Sequence, residues 1–386
     1  MRSHDGPAER SLPRVIPERI KEAREARGLT PRDFAERLDV TPQAVAQFET
    51  GQISPSAETM SKIIEATAQP PRFFTTTTRR PSDAPVAFWR SLKRVELHHR
   101  RRVTRWLEWA FDVHQYLEQF IEFPVIDLPS IEFDPEFGDA EEIERAAAKV
   151  RDHWGMGRAP IRGLTTLMEG RGVVLLKQDV GCPDMDAVSC WLGGHPFVIY
   201  SSRVESGPRT VFNLAHELGH IVLHAGVEVT TESLGAIEKQ ANRFAAAFLM
   251  PRETFPAEVF GTSLEHLLAL KRRWGVAISA MAYRCRDLGL YNQDQFAYVM
   301  KQMNVRGVRK VEPLDDCFQS PEPTILADSM AMLLDNGIQN TDQIEAALGM
   351  NLADVERLCG LPRGRLDNRV VVPFRPRPRP TSGSAD

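Results

Sequence analysis

Val211-Phe-Asn-Leu-Ala-His216-Glu217-Leu218-Gly219-His220-Ile-Val-Leu-His224 is the stretch on which the reading of this chain turns. Phe212, Ala215, Gly219 and Leu223 recur at helical spacing, so one face packs and the other presents two histidines. On a helix, positions i and i+4 differ by about 40° of rotation and about 6 Å of rise, which lets both imidazoles reach one ion. Imidazole nitrogen suits Zn²⁺, so His216 and His220 are read as zinc ligands. Glu217 lies beside the coordination position left open, where a carboxylate can take a proton from an attacking water and return it to a leaving amine.

Two ligands do not close a zinc site. Glu238-Lys-Gln-Ala-Asn242 begins the next expected helix, eighteen residues after His220, far enough for a loop and a return of the chain. A carboxylate at Glu238 completes a His₂Glu set and leaves the fourth position to water. Read otherwise, Glu238 is an exposed acid favoured by the start of a helix. Asn242, one turn on, faces the same way and is placed to bond the far nitrogen of a ligand histidine. His224 lies about 12 Å along the helix from His216, too far to share its ion, and is read as packing behind the ligands. His153, His195 and the pair His98-His99 lack partner spacing and are read as structural or exposed. Tyr200 and Arg209 lie just upstream of the helix, where either could stabilise an oxyanion, cap a strand or bond a carboxylate.

Around this centre the chain divides. At 386 residues, with 42% hydrophobic and 26% charged residues, it is too long for one ordinary domain and has the make-up of a globular protein. A first unit over residues 14–75 reads as four short helices: Pro17 opens one, Thr30 and Thr41 cap two more before Pro31 and Pro42, and Ser56 starts the fourth. The third of these is the helix that a helix-turn-helix lays in a major groove. Thr41, Gln43, Ala44, Gln47 and Thr50 are its expected DNA contacts, with Gln43 and Gln47 four apart on one face and suited to adenine. Arg32, with Thr41 and Thr50, is placed to hold phosphates. A protein–protein module of the same fold is the other reading, because the basic surplus of this unit is small.

Residues 84–124 form a basic helical linker, and between Arg90 and Arg105 seven basic residues (Arg90, Lys93, Arg94, Arg100, Arg101, Arg102 and Arg105) stand against a single acid, Glu96. Leu92, Val95, Val103, Trp106 and Leu107 give it a buried stripe, so the charges form either a solvated face or a phosphate-binding one. Residues 140–292 mix helices with three short strands near Val173–Leu176, Val188–Leu192 and Phe197–Tyr200. Residues 293–386 carry weaker helical signals, such as Thr341–Leu348 and Leu352–Cys359, and end in a Pro/Arg-rich tail expected to be disordered.

The net charge of −4 names no partner by itself. Five scattered cysteines without C-x-x-C spacing fit a reducing compartment and no cysteine metal site. No signal peptide and no stretch of about 18 apolar residues is apparent, so no membrane is expected and the location read is cytoplasmic.

Two resemblances meet here. Residues 17–75 resemble the XRE, or lambda-repressor-like, helix-turn-helix family through Arg27-Gly-Leu-Thr30, Phe34-Ala35, Leu38-Asp-Val40, Val45, Phe48-Glu49, Gly51 and Pro55. Pro31 stands where that family usually has Gln, which removes a backbone-phosphate contact. Residues 140–292 resemble the ImmA/IrrE metallopeptidase family. The matching features are Arg151-x-His-Trp154, Ala159-Pro-Ile161, Glu169-x-x-Gly-Val173, Asp186-Ala-Val-Ser189, Arg209-x-x-Phe-x-x-Ala-His-Glu-Leu-Gly-His220, Glu238-x-x-Ala-Asn242 and Leu249-Met-Pro251.

The resemblance implies a multidomain architecture: an all-α helix-turn-helix domain, then an α+β zincin-like metallopeptidase domain, then a helical C-terminal region. It implies zinc on His216, His220 and Glu238, with Glu217 as general base. It also implies cleavage of a partner regulator, commonly a helix-turn-helix repressor, or a place in a toxin–antitoxin or stress-response switch. An operator-like DNA duplex is the expected nucleic-acid partner, and a homodimer follows by fold analogy alone. The other functional reading is a non-catalytic transcriptional regulator or antitoxin whose peptidase-like domain senses a ligand or partner.

Overall fold

A computed structural model describes residues 14–78, 87–88, 96–179, 181–182, 185–227, 230, 232–309, 311–319 and 322–367. Arg90, Leu92, Lys93, Arg94, Val95 and the Pro/Arg-rich tail beyond residue 367 lie outside the described residues.

The N-terminal helices start where side-chain oxygens can take up the free amides of a first turn. Helix α1 spans Pro17–Ala26. Thr30 caps α2 (Pro31–Leu38) in a reciprocal box with Asp33, Thr41 accepts from the Ala44 amide to cap α3 (Pro42–Glu49), and Ser56 caps α4 (Ala57–Thr67). Ile20, Phe34, Leu38, Val45, Phe48 and Ile63 pack between them, and Arg24 bonds Glu49 to tie α1 to α3. The long helix α5 (Leu97–Leu117) then lies against α1. Its Trp106 and Trp109 indoles donate to the Ala26 carbonyl and the Glu22 carboxylate, at 3.2 and 2.6 Å. Val103, Trp106 and Leu107 are buried, while Arg101 and Arg105 face Glu25 of α1. Those two arginines hold the linker onto the first unit.

The second unit begins with α6 (Ala140–His153) and α7 (Leu164–Glu169). The sheet has four strands, β1 (Ala87–Phe88), which precedes α5 and was not expected from the sequence, and the three expected ones, β2 (Val174–Lys177), β3 (Ala187–Leu192) and β4 (His195–Tyr200), ordered β1-β3-β4-β2. β3 and β4 form an antiparallel hairpin, and β2 runs parallel to β4. Because successive strand residues alternate faces, the sheet serves two cores. Val174, Leu176, Val188, Cys190, Phe197 and Ile199 join the core of the N-terminal unit, whereas Leu175, Ala187, Val198 and Tyr200 join the other. The sheet is a shared wall.

Behind the second face lie α8 (Gly207–Leu223), α9 (Leu234–Leu249), α10 (Leu264–Trp274), α11 (Ile278–Asp287) and α12 (Gln293–Val305). Val299 and Met303 of α12 belong to this core, so the packed body continues past residue 292. Arg284 of α11, fully buried, makes a bidentate pair with Glu144 of α6 and donates to the Met250 carbonyl.

The last helices, α13 (Ile325–Asp335), α14 (Thr341–Leu348) and α15 (Leu352–Cys359), return to the first core through Leu326, Met330, Leu333, Ile344, Val355 and Leu358. Asp354 receives Arg27 at 2.9 and 2.6 Å and Gln69 at 2.7 Å, and the Arg357 guanidinium lies 4.4 Å over the Trp106 ring. All five cysteines are free. No helix among the described residues is long and apolar enough to cross a membrane.

Candidate metal centre

The crossing of α8 and α9 is close because α8 presents Gly219 to it. A Cβ built there would lie 3.1 Å from Phe244 Cδ1 and 3.3 Å from the Ala241 backbone, closer than neighbours ordinarily sit. Leu214, Leu218, Phe244 and Phe248 fill the rest of the seam. The opposite edge of the crossing carries His216, His220 and Glu238, whose ligand atoms all lie within 4.8 Å of one another. Glu238 sits in the second turn of α9, which starts at Leu234, earlier than the sequence indicated.

The partners of the imidazoles decide which nitrogens are free. The Asn242 amide donates to the Glu238 carbonyl at 2.8 Å, so its oxygen is the acceptor facing His216 Nδ1 at 3.1 Å. The Gln240 amide donates to the Pro135 carbonyl at 2.9 Å, which leaves its oxygen to accept from His224 Nε2 at 3.0 Å. Burial first, and then the neighbouring His220, hold His224 at about 4, so it is neutral near pH 7. With its proton on Nε2, His224 Nδ1 is an acceptor and takes the bond from His220 Nδ1 at 3.1 Å. His216 and His220 therefore carry their proton on Nδ1 and turn a lone pair inward from Nε2.

Those two Nε2 atoms are 3.0 Å apart, and Glu238 oxygens lie 3.4 and 3.5 Å from them. Two lone pairs and a carboxylate facing one another in a buried space call for a cation. Glu238 Oε1 is buried without a hydrogen-bond partner among the described residues. Zinc–nitrogen distances near 2.0 Å in a tetrahedron put donors roughly 3.3 Å apart. The residues present fit such an ion.

Glu217 is buried beside this set, and the Ser189 hydroxyl of β3 donates to its Oε2 at 2.6 Å. The sequence reading gave Ser189 no role. Its signal was period-two alternation, which turns one polar residue of β3 toward α8. Tyr200 is buried in the sheet, and burial raises its hydroxyl well above the ordinary value. Arg209 lies 3.6 Å from Asp186, where both line a cleft of about 730 Å³ with Asp139, Phe212, Lys239 and Asn242. The cleft runs along α8 and α9 past Asn242.

In the N-terminal unit Thr41, Gln43 and Thr50 are exposed and Ala44 and Gln47 half-buried, all on or beside α3. The Thr41 and Thr50 hydroxyls are engaged with the helix itself, as cap and as donor to the Ala46 carbonyl. Arg32 is exposed and pairs with Glu36. His195, read as structural or exposed, lies near His114 and Glu118.

No curated protein matches the chain. Among solved structures, a Mycobacterium tuberculosis transcriptional regulator is similar at 19% identity and a TM-score of 0.29, over 46% of this chain and 50% of that one. This chain thus spans half the length of that regulator. Residues 20–74 match the helix-turn-helix family model, and residues 168–286 match that of the IrrE N-terminal-like domain, Peptidase M78. One chain thus carries a segment similar to the helix-turn-helix family at residues 20–74 and a segment similar to the IrrE N-terminal-like domain at residues 168–286.

Proposed function

We propose that this protein is a DNA-binding regulatory zinc metallo-endopeptidase that hydrolyses a peptide bond in a partner regulator. One observation carries the reading: two inward lone pairs and a carboxylate converge beside a buried glutamate held by a serine hydroxyl. His216, His220 and Glu238 would hold the ion. When bound, zinc polarises a peptide carbonyl and acidifies water. Glu217 accepts the proton from the attacking water and delivers it to the departing amine, while Ser189 fixes the carboxylate that does so. Asn242 and the His224–Gln240 pair keep both imidazoles in the tautomer that ligates. The cleft along α8 and α9, with charges of both signs, supplies a groove for an extended peptide.

The first unit supplies the address. Gln43 and Gln47 of α3 read base edges, Ala44 meets a thymine methyl, and Thr41 and Thr50 approach the backbone of an operator-like duplex. A helix-turn-helix repressor bound nearby would then be met at raised local concentration. A homodimer on a two-fold operator completes this reading.

A second reading, a regulator that holds metal without cleaving, draws on the closure of the centre, since His216, His220 and Glu217 are each at most 1% exposed. Glu217→Gln separates the two. The variant is expected to keep its zinc and lose the cellular effect on the partner regulator. Full retention of that effect would overturn the peptidase reading.

A further inference from the structure

We propose that His114, Glu118 and His195 form a second metal site, for zinc or another divalent transition ion that takes nitrogen and oxygen donors. It lies where α5 meets the sheet, apart from the centre on α8 and α9. His114 and Glu118 are four apart on α5, one above the other on its surface, and His195 opens β4.

Their ligand atoms lie within 4.8 Å of one another. His114 Nδ1 is 3.5 Å from Glu118 Oε2, and His195 Nε2 is 3.8 Å from Glu118 Oε1. The two rings approach to 4.9 Å between centroids. Donors held by one zinc ion sit roughly 3.3 Å apart, so small rotamer movements close the set.

The strongest sign is His114. It is 1% exposed, and its Nδ1 has no hydrogen-bond partner among the described residues. An orphaned nitrogen of that kind is rare in a packed interior and asks for a partner that is not protein. Phe123 and Phe197 pack against the same ring at 4.4 and 5.8 Å, so it is held rather than free to turn to water. Gln115 donates to Glu118 Oε2 at 2.5 Å and orients the carboxylate from outside. His195 and Glu118 are half-buried, which leaves a path for the ion from solvent.

A bland alternative is a core histidine beside a surface ion pair. It leaves the Nδ1 atom unpaired and gives no reason for two imidazoles and a carboxylate to converge. An ion here would cross-link the helix that carries the N-terminal unit to the strand that pairs with β3.

The test is a Zn²⁺ titration of the full chain after chelator treatment, in competition with a chromophoric chelator. Wild type is expected to bind two equivalents, and His195→Ala and Glu118→Gln one each, with the remaining affinity unchanged. Glu238→Ala is expected to keep the equivalent that those two variants lose. Glu118→Gln is near-isosteric on a half-exposed position, so it reads the site even where His195→Ala perturbs the strand. A single wild-type equivalent retained by both variants would overturn the proposal, as would two equivalents that survive both changes.

Discussion

The cluster of His216, His220 and Glu238 and the cluster of His114, Glu118 and His195 offer an ion the same donors, two imidazoles and a carboxylate. Behind the first stands a built scaffold. Asn242 and His224 orient the two rings, Gln240 and Pro135 orient His224, and a serine-held acid adjoins the set. Behind the second there is one glutamine on the carboxylate and two aromatic rings on His114. Catalysis asks for fixed tautomers and a poised base, whereas holding an ion asks only for donors in reach. Under the proposed readings, the first cluster serves turnover and the second tethering.

The widest separation is expected in rate. Glu217→Gln should lower peptide hydrolysis by about 10²- to 10⁴-fold with zinc content unchanged, while His195→Ala leaves the rate near wild type. A His195→Ala enzyme as slow as Glu217→Gln would erase the distinction between the clusters. Next in size is stability: Arg284→Met strands Glu144 in the interior and should cost about 3–5 kcal/mol by denaturant unfolding. The scaffold itself is read by Asn242→Ala, which should weaken zinc at the first cluster by about 10- to 100-fold in chelator competition. Gln115→Ala should alter the second cluster less, since it bonds an already half-exposed carboxylate. Packing at the helix crossing is read by Gly219→Ala: the new methyl must push Phe244 and Ala241 away, at about 1–3 kcal/mol of overpacking. A variant as stable as wild type, with undiminished zinc affinity, would show that the helices have slack there.

The two clusters also differ in how far the chain announces them. His216, His220 and Glu238 lie on consecutive helices, so helical periodicity and one loop length bring them together before any tertiary information is used. Thr30, Thr41 and Ser56 were equally legible, because a cap is a local bargain between one oxygen and one amide. His114 and His195 meet only because α5 crosses the end of β4, and no periodicity spans that interval. Ser189 is intermediate: alternation turns it to one face, but only the packing of α8 on that face makes Glu217 its acceptor. The signal of α12 is weak although Phe296, Val299, Met300 and Met303 recur at helical spacing, because exposed Tyr298 and Val305 put apolar bulk on the solvent side as well. The return of α13–α15 to the N-terminal core rests on matching apolar surfaces far apart in the chain.

That return has a practical side. The first and last portions of the polypeptide close over α5 together, sealed by Asp354 between Arg27 and Gln69. Dissecting the gene at the apparent border after residue 292 would bare Leu326's and Val355's counterparts on α5 and the N-terminal helices, and would cut α12 from its own core. Truncation mapping would then report insolubility where it meant to report lost activity, so point substitutions are the sounder tool for this molecule.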